Sequence, residues 1–143
     1  MIETVDKLCE FAKSKGYTTE NIELLLNAYK IADSYSKNKF RFRKPTRPFI
    51  NHLVSTCAIL MTTRMNIETV VAGLLHSVKD DPTVCALNQT VGEIVNNYFD
   101  LSIDCLGNPK QIDFDKVTNI QMAVMAIQLA NTTDMVMAGE YKS

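Results

Sequence analysis

Residues 66–81 read NIETVVAGLLHSVKDD, and this stretch carries the strongest structural pattern in the chain. Asn66 is a favourable helix cap, and apolar residues then recur at three- and four-residue steps as far as Val78. Pro82 follows at once, and the residue before a proline usually leaves the helical conformation. The stretch therefore predicts a buried helix whose last turn presents four polar side chains on adjoining strips, namely His76, Ser77, Asp80 and Asp81.

Similar periodicity on both sides of this stretch predicts an all-α bundle of about six helices. Gly16 ends a first helix, Thr18 or Thr19 caps a second, and Pro48 suits the first turn of a third. Residues 90–93 (TVGE) form a capping box for a short fifth helix, and a long final helix covers residues 115–137. No segment predicts a strand convincingly, and the polar run 34–47 is predicted to be irregular.

The bulk composition is that of one soluble globular domain spanning residues 1–143. Hydrophobic residues make up 46% and charged residues 22% of the chain, which suffices for a core without disulfides or a structural metal. The net charge of −1 argues against a dedicated nucleic-acid-binding protein. The cysteines form no Cys-x-x-Cys pair, which favours reduced, mostly buried thiols. No apolar run has the length of a signal peptide or a membrane span, so we expect a cytoplasmic protein without a membrane partner.

Two histidine-containing segments resemble those of the alarmone hydrolases of the RelA/SpoT-homologue family, in the HD-domain superfamily. Residues 74–81 (LLHSVKDD) resemble the family pattern Leu-Leu-His-Asp-x-x-Glu-Asp, and residues 47–52 (RPFINH) resemble Glu-Pro-Tyr-x-x-His. Residues 28–32 (AYKIA) are similar to the family's opening Ala-x-x-x-Ala helix, and residues 127–131 (IQLAN) to its Ile-Lys-Leu-Ala-Asp segment. The resemblance covers about residues 24–137 and implies an HD-type helical bundle.

The same resemblance implies an altered metal site. In the family, two histidines and two aspartates bind one dication; the histidines correspond to His52 and His76, whereas the aspartate positions hold Ser77 and Asn131. A hydroxyl and an amide replace two anionic oxygens, which removes most of the charge that would hold a metal ion. We therefore expect no metal cofactor, with manganese bound only if the altered site still retains metal affinity.

The polar residues that remain predict an acid–base site. The candidate catalytic residues are His52, His76, Asp80 and Asp81, because an imidazole can accept and donate a proton near neutral pH, the carboxylates complete an acid–base constellation with it, and the chain has only these two histidines. Asp80 is expected to orient or activate His76. The alternative is that each histidine is a satisfied core or surface group.

The basic segment before His52 predicts an anion-binding site. Its guanidinium and ammonium groups suit a phosphate or a carboxylate, and they belong to Arg41, Arg43, Lys44 and Arg47. Further residues are expected to line the same pocket, namely Ser77, Asn131 and Asp134. The alternative is a solvated loop. The methionine-rich final helix is either core filler or a surface that faces a partner protein.

Three functions remain open. The first is a metal-independent enzyme, repurposed from an HD phosphohydrolase scaffold, that acts on a small anionic substrate such as a nucleotide or a phosphorylated compound. The second is a non-catalytic pseudo-hydrolase that binds a nucleotide or a partner protein. The third, ranked last, is a manganese-dependent (pyro)phosphohydrolase.

Overall fold

The computed structural model describes residues 1–79, 81–99 and 114–140. Over these residues the chain forms a mostly helical bundle, as the periodicity predicts, together with a small two-stranded sheet. The helices are α1 (Val5–Ser14), α2 (Thr19–Ser36), α3 (Phe49–Thr62), α4 (Ile67–Leu75), α5 (Pro82–Leu87), α6 (Gln89–Phe99) and α7 (Phe114–Met137). The strands β1 (Phe40–Arg41) and β2 (Lys44–Pro48) lie between α2 and α3. None of the described helices combines the length and apolarity needed to cross a membrane.

Local sequence accounts for the start of several helices. Thr18 begins α2 with a capping box, in which its hydroxyl accepts the Asn21 N–H and the Asn21 side chain accepts the Thr18 N–H. Asn66 caps α4 by accepting the Thr69 N–H at 2.9 Å. Gly16 ends the turn after α1 with a φ of 88°, a left-handed conformation that suits glycine.

Helix α3 lies at the centre of the bundle. It packs most extensively against α4 and α7 and also contacts α1 and α2. Residues 52–58 are all buried, so this helix carries polar groups as well as apolar ones into the interior. The Thr56 hydroxyl donates a hydrogen bond to the His52 carbonyl at 2.8 Å, so this buried polar side chain has a partner. Helix α3 thus places His52 where α4 and α7 can reach it.

The polar run 34–47 is more regular than predicted. Helix α2 continues to Ser36, and residues 40–48 form an antiparallel hairpin in which Arg41 pairs with Lys44. Asn38, with a φ of 60°, turns the chain out of the helix, because asparagine tolerates the left-handed region better than most residues. This hairpin of β1 and β2 contains the basic segment and places it against the bundle.

Residues 82–99 form two helices where one was predicted. Asp81 accepts the Thr83 N–H at 2.9 Å and starts α5, with Pro82 in the first turn. Asn88, rather than Thr90, caps α6 by accepting the Val91 N–H at 3.0 Å. The short Asn88 side chain competes with the helical backbone for that hydrogen bond, which separates the two helices.

Helix α4 ends at Leu75, so the predicted arrangement of polar residues along its last turn is wrong. The His76 ring hydrogen-bonds to the Gly73 carbonyl at 2.6 Å, and the Val78 N–H donates to the Leu75 carbonyl at 2.9 Å. In a continuing helix, the Gly73 and Leu75 carbonyls would instead accept from the backbone N–H groups four residues later. Ser77 therefore lies in a turn and Asp81 in the next helix cap, while Asp80 lies outside the described residues.

The final helix exposes several large apolar residues. Met122, Met125 and Met137 have exposed fractions of 63%, 66% and 57%. Two further exposed residues on this helix are Leu129 and Val136. The interpretation of these methionines as core filler is therefore wrong. The described thiols follow expectation in part, since Cys57 is buried but Cys9 and Cys85 are half-buried, while Cys105 lies outside the described residues.

Candidate functional site

His52 and His76 meet in the interior of the bundle. Their ring centroids lie 5.6 Å apart with the planes inclined at 75°, and both residues are buried. Edge-to-face ring contacts continue on either side, from Phe49 to His52 at 5.9 Å and from His76 to Tyr98 at 5.3 Å. The two imidazoles therefore share one interior site, delivered by α3 and by the turn after α4.

Asp134 of α7 pairs with His52. The Nδ1 of His52 lies 2.5 Å from Oδ2 of Asp134, and both side chains are fully buried. The other ring nitrogen, Nε2 of His52, is buried and has no hydrogen-bond partner among the described residues. Buried polar atoms are normally satisfied, so an unpaired imidazole nitrogen beside a second histidine marks a place where a ligand atom could bind.

The ionised Asp134 carboxylate determines that Nδ1 of His52 carries a proton. Burial alone would raise the pKa of Asp134, but hydrogen bonds from Arg47, His52 and Ser55 outweigh it and hold that pKa well below its ordinary value. An ionised carboxylate can only accept hydrogen bonds, so Nδ1 of His52 carries a proton. When the ring is neutral, Nε2 therefore has a free lone pair.

Arg47 is the centre of a buried ion-pair network. Its Nη1 and Nη2 donate to the two oxygens of Asp134, each at 2.8 Å, and Nη1 also donates to Glu140 at 2.6 Å. Its Nε donates to Glu3 at 3.1 Å. Burial would lower the pKa of Arg47, but these carboxylates outweigh that effect and raise it. The guanidinium thus holds Asp134 in position for His52.

His76 is held as a neutral imidazole. Burial is the main cause that lowers its pKa, from 6.5 to about 4, and the nearby His52 lowers it further, while hydrogen bonds with Gly73 and Asn131 oppose the change. The Gly73 carbonyl can only accept, so Nδ1 of the neutral His76 ring carries the proton.

The other predicted residues take different positions. Asn131 hydrogen-bonds His76 and so lies at the site, whereas Ser77 is a half-buried residue of the adjacent turn. Asp81 uses its carboxylate to cap α5, which is a structural role. Arg43 is exposed at the turn of the hairpin, and Lys44 donates to the Ala138 carbonyl at 2.8 Å. Of the basic segment, the Arg41 and Arg47 side chains reach the buried carboxylates.

A three-donor metal set can be identified among the described residues, but it differs from the set that the family resemblance implies. It consists of His52, Asp134 and Glu140, whose donor atoms all lie within 4.8 Å of one another. One imidazole and two carboxylates suit a divalent cation. However, Nη1 of Arg47 donates to both carboxylates, so a metal ion bound by this set would have to displace that guanidinium.

Sequence reasoning missed the role of two carboxylates. Asp134 was expected to line the pocket, because it lies one helical turn after Asn131, but its pairing with His52 was not anticipated. Glu140 was missed altogether. The one available signal was Gly139, a typical helix terminator, which predicts that the chain reverses direction just before Glu140.

The described molecule is thus a mostly helical bundle with a buried site of two histidines, an aspartate and an arginine. No protein-family model matches the chain. The chain is similar to the "Probable GTP pyrophosphokinase" of Mycobacterium leprae (strain TN), at 30% identity over 86 residues. That match covers 59% of this chain and 11% of the relative, so the chain spans a small part of that protein. The similarity supports a relation between part of the chain and the family of that relative.

Proposed function

We propose that the chain is an HD-like domain with a degenerate metal site, and that it acts as a metal-independent acid–base enzyme. Its substrate class is a small anion, either a nucleotide or another phosphorylated compound. The name of the similar protein, a GTP pyrophosphokinase, supports a nucleotide-related role. The observation that carries the proposal is the buried pair of His52 and Asp134, in which Nε2 of His52 lies beside His76 with no partner in the described part of the chain.

In this proposal, His52 is the general base. Asp134 orients its ring through Nδ1, and Nε2 takes a proton from a bound water or hydroxyl group. The neutral His76, with its Nδ1 proton committed to Gly73, would help to position that group together with Asn131. Arg47 and Arg41 supply positive charge next to the pair, which is a means of stabilising negative charge that develops in a transition state.

The test is turnover of nucleoside polyphosphates, including 3′-pyrophosphorylated ones, by purified protein. His52→Gln and Asp134→Asn should each lower the rate by about 10²–10⁴-fold, the usual contribution of a positioned acid–base group. Asp81→Asn, a carboxylate outside the buried site, is the matched control and should retain activity. Circular dichroism of each variant separates lost chemistry from lost fold.

Two results would count against the proposal. Unchanged turnover in a folded His52→Gln variant would remove His52 as the base. Activity that is abolished by EDTA and recovered with manganese would instead favour a manganese-dependent phosphohydrolase.

A non-catalytic binding function is the second candidate, for a nucleotide or a partner protein. The observation that favours it is the burial of both histidines, which are 0% and 3% exposed, since catalytic groups must reach a substrate. Thermal shifts with nucleotides discriminate between the two functions: a ligand that stabilises the protein without being turned over supports binding.

A further inference from the structure

The chain immediately after α7 is built to place one carboxylate in the interior. The Gly139 N–H donates to the Val136 carbonyl and the Glu140 N–H to the Met135 carbonyl, the hydrogen-bond pattern of a Schellman helix end. Gly139 has a φ of 73°, which reverses the chain direction. Residues 138–140, called the strap below, therefore direct Glu140 back towards the hairpin, and its side chain is 1% exposed.

The Glu140 carboxylate lies between two arginines. Its Oε1 accepts from Nε of Arg41 at 2.7 Å, and its Oε2 accepts from Nη1 of Arg47 at 2.6 Å. Two guanidiniums that hold two oxygens of one anion form the arrangement with which proteins bind carboxylates and phosphates. The hydrogen bond from Lys44 to the Ala138 carbonyl joins the same hairpin to the strap.

The charges of the surrounding side chains favour an anion at the position of the Glu140 carboxylate. Arg41 and Arg47 face the buried carboxylates of Asp134 and Glu140, with Glu3 at the edge. Arg47 is also paired with Asp134 and Glu3, whereas Glu140 is the one carboxylate that pairs with Arg41 among the described residues, so without Glu140 that guanidinium would lose its anionic partner. A phosphoryl group offers the same paired oxygens and at least the same charge as the glutamate.

We propose that Glu140 stands in for an anionic group of the ligand, and that the strap is displaced when a phosphoryl group binds to Arg41 and Arg47. This inference rests on the proposed function for the anionic nature of the ligand, but it concerns binding and not catalysis. Arg41 is 14% exposed, so the pair of arginines can be approached from solvent on that side. A group seated there lies close to the His52–Asp134 pair, because Glu140, Asp134 and His52 donor atoms are within 4.8 Å of one another.

Calorimetric titration with inorganic pyrophosphate tests the proposal. Glu140→Gln keeps the shape of the side chain and removes its charge, so it should bind pyrophosphate about tenfold or more tightly than the wild type, because the competing internal ligand is weakened. Arg41→Gln, introduced into the Glu140→Gln variant, should abolish the gain.

Two exposed residues provide matched controls for these changes in charge. Glu10→Gln removes a negative charge on α1, and Lys7→Gln removes a positive charge from the same helix. Neither control should change the affinity for pyrophosphate in the way that Glu140→Gln and Arg41→Gln do. A folded Glu140→Gln variant with unchanged or weaker affinity, or an equal gain in Glu10→Gln, would overturn the proposal and leave Glu140 as a structural ion-pair partner.

Hydrogen exchange of the wild-type protein gives a second measurement, which does not depend on any variant folding. Pyrophosphate should accelerate exchange of the Glu140 amide, because displacing the strap breaks its hydrogen bond to Met135. Bound pyrophosphate with unchanged or slower exchange at that amide would contradict displacement. Failure of the proposed catalysis would look different: His52→Gln would leave turnover unchanged, whereas the response of the strap to pyrophosphate would persist.

Discussion

At the residue scale, Asp134 makes the contacts that join the site to the fold. It accepts from Arg47 and His52 while fully buried, so removing it leaves a buried guanidinium with fewer partners. We predict that Asp134→Ala lowers the free energy of unfolding by about 3 kcal/mol or more. Urea denaturation measures this loss. Asp81→Ala, which removes a helix cap, should cost only about 1 kcal/mol, and equal losses in the two variants would contradict a special role for the buried pair.

His76 gives the protein a predicted pH dependence of stability. Its pKa is about 4 in the folded chain against an ordinary 6.5, so at intermediate pH the unfolded chain binds a proton that the folded chain does not. The stabilisation from His76 is therefore complete above pH 6.5 and is lost as the pH falls towards 4. Lowering the pH from 6.5 to about 5 should reduce the free energy of unfolding by roughly 2 kcal/mol through this residue.

His76→Gln is the comparison for that pH dependence. Urea denaturation at several pH values should give a flatter profile for this variant than for the wild type in the same range. Parallel profiles would show that His76 does not titrate as described.

At the element scale, the approach of α3 to α4 depends on Gly73. A methyl group at this position would overlap Cδ1 of Leu60, a buried side chain with little room to move. We predict that Gly73→Ala destabilises the protein by about 1–3 kcal/mol despite the better helix propensity of alanine. In a Leu60→Ala background the same substitution should cost much less, and a double-mutant cycle of thermal unfolding measures the difference. Equal costs in both backgrounds would rule out this steric contact.

At the scale of the whole molecule, substitutions of one buried and one exposed methionine test which helix faces are buried in solution. Met61 is fully buried in α3, whereas Met125 is 66% exposed on α7. Met61→Ala should lower the free energy of unfolding by about 2–5 kcal/mol, because it opens a cavity in the core. Met125→Gln should change it by less than about 0.5 kcal/mol. A large cost for Met125→Gln would mean that this face of α7 is covered in solution.

Much of the fold could be predicted because helices are specified locally. The apolar periodicity and the capping residues Thr18 and Asn66 predict α2 and α4 from neighbours three and four positions away. The errors lie where local signals compete, as at Asn88, which ends one helix and caps the next. They also lie at His76, whose ring hydrogen-bonds the Gly73 carbonyl as α4 ends.

The sequence by itself determined the helical class of this protein and the candidacy of its two histidines. Only the tertiary structure decided which carboxylates serve the site. His52 and Asp134 are 82 positions apart, and Arg47 and Glu140 are 93 apart, so no local periodicity relates them. Their pairing depends on how α7 and the hairpin pack against α3. The same packing decides that Met122, Met125 and Met137 of α7 face outwards, because burial is a property of the assembled bundle and not of a helix alone.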